Sequence, residues 1–137
     1  MTSRIDRRRF LGSCSMAAAA LLIFRRPLHA LEVPKHPVPR KGITGDYVLT
    51  KKDLAKHPKL IPLFDSVRAR AQVFDGIRCS CGCPDGIEFY SLLSCFEARG
   101  MARECIVCQD EARFVIKLHK QGKTLNQIRA AFDAEYT

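Results

Sequence analysis

The sequence predicts a small all-α protein, a bundle of about four helices that holds an irregular cysteine-rich loop. Three observations predict it. Apolar residues recur with the helical period on both sides of the chain's centre; no stretch shows the strict alternation of a half-buried strand; and six cysteines crowd into residues 79–108, where glycine and proline interrupt the helical pattern.

The elements follow in chain order. Residues 1–30 read as an address label and not as part of the fold. Asp6-Arg7-Arg8-Arg9-Phe10-Leu11-Gly12 has the pattern of a twin-arginine signal peptide, an alanine-rich apolar stretch runs from Leu11 to Phe24, and Leu28-His29-Ala30 suits cleavage. That order implies the twin-arginine translocation machinery as a partner and a periplasmic or otherwise exported mature protein. The apolar run falls short of the roughly 18 residues that span a bilayer, so no stable membrane span is expected in the mature chain. Cys14 precedes the apolar core, the wrong order for lipidation.

The label also explains most of the charge. The chain carries a formal +9, but its first 30 residues hold six arginines and one aspartate, which leaves +4 for the rest. No stripe of basic residues interleaved with aromatics replaces it, so a nucleic-acid partner is not expected.

Residues 31–49 form a Pro-rich linker with Pro34, Pro37, Pro39, Gly42 and Gly45, a composition that cannot sustain a helix. The cysteine-rich helical domain then occupies residues 50–137. Thr50 and Asp53 suggest a capping box for a short helix through Lys56, which His57-Pro58 interrupts. Leu60, Leu63, Phe64, Val67, Ala71 and Phe74 mark one face of a single amphipathic helix, with Pro62 tolerated in its first turn and Asp75-Gly76 at its end. Ser91 suggests a short helix through Ala98, broken by Gly100. Residues 105–121 read as one helix, with Cys108, Ala112, Val115 and His119 on a shared face, Phe114 and Leu118 beside them, and Gly122 just past the end. Thr124 and Gln127 form a capping box for the last helix, whose buried face carries Leu125, Ile128, Phe132 and Tyr136.

With Cys14 removed in the label, an even set of six remains: Cys79, Cys81, Cys83, Cys95, Cys105 and Cys108. Cys79-Ser80-Cys81-Gly82-Cys83-Pro84 sets three thiols at alternate positions on a bending backbone. A disulfide between neighbours in that triad would close a very small ring against the preferred bond geometry, whereas a soft metal needs several sulfurs at one point. Cys105-Ile106-Val107-Cys108 opens a helix. There the exposed amides and the helix dipole favour thiolate, which suits a metal or a redox-active pair equally. Cys95 reads either as a core cysteine or as a further ligand.

These residues resemble the PCYCGC-motif family of small exported bacterial cysteine-rich proteins. The resemblance rests on Cys81-Gly82-Cys83, Ser91-Leu92-Leu93-Ser94-Cys95-Phe96, Cys105-x-x-Cys108, and Gln121-Gly122-Lys123-Thr124 with Gln127-Ile128-Arg129. It covers roughly residues 77–136. The signature itself departs, reading Arg78-Cys79-Ser80-Cys81-Gly82-Cys83, and Tyr90 stands where the family's histidine is expected, so a metal site here would use sulfur or His119 instead. Glu104-Cys105-Ile106-Val107-Cys108-Gln109 and the helices that follow are similar, more weakly, to the thiol oxidoreductases of cytochrome c maturation. That similarity implies reduction of an apocytochrome disulfide by Cys105 and Cys108, and it leaves the other four thiols unexplained.

Three readings follow. In the first, the six cysteines bind a transition metal ion, zinc or copper(I), with an iron-sulfur cluster less favoured because the usual four-cysteine spacing is absent. A metal-handling or respiratory protein would then be the physiological partner. In the second, Cys105 and Cys108 are catalytic in thiol-disulfide exchange. In the third, three disulfides staple a scaffold without catalysis. His119 is a candidate ligand, His36 and His57 have no partners visible in the sequence, and Asp85 and Glu88 follow the triad. No hydrolase or nucleotide-binding constellation is present.

Overall fold

Leu63, Phe64, Val67, Phe74, Ile77, Leu92, Leu93 and Phe96 come from three segments of the chain and meet in one buried cluster with Val115, Ile128 and Phe132. Phe96 stands at its centre, its ring edge-on to Phe64 at 4.7 Å and to Phe74 at 6.2 Å. The computed structural model describes residues 35–82 and 89–136, all within the unit Val33–Thr137. The twin-arginine label, Cys83, Asp85 and Glu88 lie outside the described residues.

The protein is all-α. Four helices, α1 (Ile61–Arg68), α2 (Ala71–Asp75), α3 (Ile106–Lys120) and α4 (Leu125–Tyr136), are joined by 3-10 turns at Pro58–Leu60 and Leu93–Phe96. Among the described residues there is no strand, only an isolated antiparallel bridge between Val48 and Glu97. Helix α3 packs against both α1 and α4, and α2 packs against the Leu93–Phe96 turn.

The single helix expected over residues 60–74 is two. Arg70 leaves helical geometry at φ −128°, ψ 28°. Its guanidinium donates to the Ser66 carbonyl at 2.9 Å, the acceptor that a continuous helix would give to the Arg70 amide, and that amide bonds Val67 instead. Ala71 and Phe74 stay buried across the break. Residues 51–56 also form turns where the sequence suggests a helix. Asp53 accepts both the amide and the hydroxyl of Thr50, at 2.8 and 2.7 Å. With the Thr50 hydroxyl donating to Asp53, it caps no amide of the next turn.

The later elements match the sequence closely. The Thr124–Gln127 capping box is formed in both directions: Thr124 N–H donates to Gln127 Oε1 at 3.0 Å and Gln127 N–H to Thr124 Oγ1 at 3.4 Å. Gly122 takes φ +77°, and the Lys123 amide reaches back to the Leu118 carbonyl, closing α3.

Residues 35–40 have no regular secondary structure and are tied to the domain through His36, Pro37, Val38 and Arg40, as a strap. The Pro37 carbonyl accepts from Arg129 at 2.6 Å, and the Val38 carbonyl accepts from the Tyr90 hydroxyl. Arg40 forms a two-pronged pair with the buried Asp75, which also accepts from the Arg40 amide and the Ser91 hydroxyl. His36 gains the partners that the sequence does not reveal. Its Nδ1 accepts the Arg78 amide at 3.0 Å, and its ring meets Phe132 edge-on. Nε2 lies 3.1 Å from Asp133 without hydrogen-bond alignment. Burial pushes the His36 pKa down; Asp133 opposes this, and Arg78 and Arg129 reinforce it.

Candidate metal centre

Three short stretches deliver the sulfurs. Ile77 and Arg78, the residues ahead of Cys79, are fixed by the Leu92 amide on the Ile77 carbonyl at 2.7 Å, by His36 on the Arg78 amide, and by Arg78 on Asp133 at 3.0 Å. The chain therefore leaves a rigid base as it enters Cys79-Ser80-Cys81. Gly82 then adopts φ +61°, a left-handed turn that favours glycine.

The second stretch is the first turn of α3. Cys105 is its N-cap, and Gln109 anchors the turn by donating to the Ala102 carbonyl at 2.9 Å. The third is the Leu93–Phe96 turn, which holds Cys95 almost fully buried. Its carbonyl accepts the Ala102 amide at 3.0 Å, and a Cβ on Gly100 would lie 2.0 Å from that same oxygen, so only glycine fits there.

The sulfurs of Cys79, Cys81 and Cys108 lie within 4.8 Å of one another and could hold a metal ion. Cys79 Sγ is 3.2 Å from Cys81 Sγ and 3.8 Å from Cys108 Sγ. The Cys105 thiol is influenced by those of Cys108 and Cys81 but falls outside this donor group. Cys95, buried in the core, influences the Cys79 and Cys108 thiols and also falls outside this donor group. The structure thus brings three of the six expected residues, Cys79, Cys81 and Cys108, into one group; Cys95 and Cys105, the other two of the five described, fall outside it, and Cys83 lies outside the described residues. No disulfide joins any two of the five.

The thiols are not equivalent. At Cys79 the interaction with Cys108 raises the pKa; Cys95 opposes it, burial and the Glu111 charge add to it, and the thiol is driven far up. At Cys108 the interaction with Cys79 favours thiolate, but Cys95, burial and Cys105 outweigh it, so that pKa is also raised strongly. Cys105 goes the other way. Partial burial opposes its ionisation, yet the Cys108 amide and thiol, the Val107 amide and the Cys81 thiol prevail and hold it below the usual thiol range.

Glu111 is the residue that sequence reasoning missed. It is fully buried on α3, one turn past Cys108, and its Oε1 accepts from Ser80 N–H at 2.9 Å and from the Ser80 hydroxyl. The signal was present in the i, i+3 spacing from Cys108, but Glu111 sits among Gln109, Asp110 and Arg113 and reads as part of a solvated face.

His119 and Tyr90 serve other places. His119 lines an open cavity of about 430 Å³ with Ile43, Arg68, Arg70 and Val73 and is not among the grouped donors. Tyr90 is half exposed on the strap side, with the Arg40 guanidinium 4.9 Å from its ring centre. No described helix is long and apolar enough to cross a membrane. Comparison of the chain with protein-family models, with curated proteins and with solved structures finds no match.

Proposed function

We propose that this is an exported metal-binding protein in which Cys79, Cys81, Cys105 and Cys108 hold a soft ion, zinc or copper(I), with Cys95 closing the site from the core. The observation that carries the reading is the convergence of Cys79, Cys81 and Cys108 sulfurs within 4.8 Å. Zinc–sulfur bonds of about 2.3 Å in a tetrahedron put neighbouring sulfurs about 3.8 Å apart. The Cys79–Cys108 separation of 3.8 Å has that length already, and the 3.2 Å Cys79–Cys81 contact needs only a small opening. The twin-arginine pattern of residues 6–12 supports export after folding, with the ion acquired beforehand.

Proton release accompanies loading. The thiols of Cys79 and Cys108 are held protonated in the metal-free protein, so an ion must displace those protons, and binding strengthens as pH rises. Cys105, whose pKa is lowered where those of Cys79 and Cys108 are raised, gives up its proton more readily than they do.

Elemental analysis of the mature protein purified without air, with thiols counted after denaturation, tests the reading. Stoichiometric zinc or copper with six titratable thiols is expected; metal-free protein with no thiols would sink it. A second reading is supported by the contrast between Cys105 and Cys108, a pair in which Cys105 could attack a partner's disulfide and Cys108 resolve the mixed disulfide, leaving the pair oxidised and the partner reduced. Replacing both by serine separates the two: exchange with a model disulfide would be abolished if they are catalytic and unchanged if they only bind metal.

A further inference from the structure

Glu111 is an acid in an unusual position. Burying a carboxylate is costly unless opposite charge and hydrogen bonds offset it. Oε1 has its two donors on Ser80, the residue between Cys79 and Cys81, but Oε2 is buried with no hydrogen-bond partner. None of the ion pairs among the described residues involves Glu111. Arg78, the basic residue next to Cys79, pairs with Asp133. Among the described residues no cation pairs with this carboxyl group, which adds to the raised pKa values of Cys79 and Tyr136.

A cation among the thiols would supply the missing charge. Resting on the metal-binding reading above, we infer that Glu111 sets the selectivity of the centre, favouring a divalent ion over a monovalent one through its charge while its hold on Ser80 positions the two loop sulfurs. Its oxygens fall outside the group of donor atoms within 4.8 Å of one another, so it acts on the ion across a gap and not as a ligand. The attraction between a fixed carboxylate and an ion scales with the ion's charge, so it is twice as strong for zinc as for copper(I). The hydrogen bonds to Ser80 serve both ions alike. Charge and positioning are thus separable.

The test titrates the mature protein with zinc and, separately, with copper(I) against competing chelators in the absence of air, and reads the ratio of the two affinities. Glu111→Gln keeps an acceptor for Ser80 and loses the charge; it should weaken zinc about 10- to 100-fold, as loss of a residue behind the ligands does, and copper(I) about 3- to 10-fold, lowering the ratio at least about threefold. Ser80→Ala keeps the charge and the amide bond to Oε1 and loses the hydroxyl bond, so both affinities should fall modestly and together, at constant ratio. Glu111→Asp also keeps the charge on a shorter arm; it should weaken both ions and preserve the wild-type ratio, and it carries the test if the glutamine variant does not fold. An unchanged ratio in Glu111→Gln, or a ratio in Glu111→Asp that falls as far as in Glu111→Gln, would overturn the inference while leaving the centre intact. A wild-type protein that binds neither ion would overturn the metal-binding reading itself.

Discussion

Cys105 and Cys108 are three positions apart and respond to their surroundings in opposite ways. One is the N-cap residue of α3, where the Cys108 and Val107 amides favour its thiolate; the other is buried, its sulfur 3.8 Å from that of Cys79. In metal-free, reduced protein a limiting amount of an alkylating reagent should therefore modify Cys105 at least about tenfold faster than Cys79 or Cys108, because the thiolate is the nucleophile. Mass mapping of the labelled peptides gives the rates, and comparable labelling at the three sites would contradict the assignment. The sequence predicts thiolate at both cysteines of the C-x-x-C; the structure keeps that at Cys105 and overturns it at Cys108, which is buried against Cys79. The roles of Cys95 and Glu111 are not legible in the sequence. Each depends on which face of its element turns inward, and that is fixed by partners outside the element: Ser80 for Glu111, Ala102 and Gly100 for the turn that carries Cys95.

At the scale of elements, Asp75 joins pieces that local pattern treats as separate. It ends α2, accepts from Arg40 on the strap and from Ser91 at the start of the Cys95 turn, and has no exposed surface. Burial opposes its ionisation, but the Arg40 and Ser91 hydrogen bonds prevail and hold its pKa below the ordinary value. A depressed carboxylate pKa contributes stability that is fully present above the unfolded value of 3.8 and is lost as pH falls through the folded value. Asp75→Ala should cost roughly 2–3 kcal/mol at neutral pH, by removing charged hydrogen bonds and stranding the Ser91 hydroxyl, and should flatten the acid limb of the stability curve. Urea denaturation across pH measures both. Arg40→Ala should cost at least as much, since it leaves the fully buried Asp75 carboxylate without its cation. The Pro-rich composition of this stretch argues only against helix. It could not foretell the strap, because hydrogen bonds such as Arg129 to Pro37 and Arg40 to Asp75 join residues 92 and 35 positions apart. The break inside residues 60–74 escaped for the opposite reason. Its cause is local, an arginine side chain competing for the Ser66 carbonyl, yet the apolar spacing continues through it undisturbed.

The whole molecule has two centres of cohesion. The aromatic core of Phe64, Phe74 and Phe96 with the α3–α4 contact surrounds one, and the thiol group, where a loop and a helix 29 residues apart meet, is the other. The first is apolar and owes nothing to a ligand. The second, left metal-free, combines protonated thiols with a buried carboxylate oxygen that has no partner, so it adds little stability of its own. Metal binding should then raise stability without being required for the helices. At free ion one hundred times the dissociation constant the gain is about 2.7 kcal/mol, and in a domain of roughly 100 residues each kcal/mol moves Tm by about 4–8 °C, so a rise of about 10–20 °C is expected. Helical circular dichroism at low temperature should change little on removal of the ion. Replacing Cys79 and Cys108 together by serine should abolish the metal-dependent rise and keep the helical signal. Calorimetry with and without chelator, run under reducing conditions, distinguishes the outcomes: a Tm that does not respond to the ion would show that the sulfurs hold nothing, and a metal-free chain without helical signal would show that the apolar core cannot stand alone.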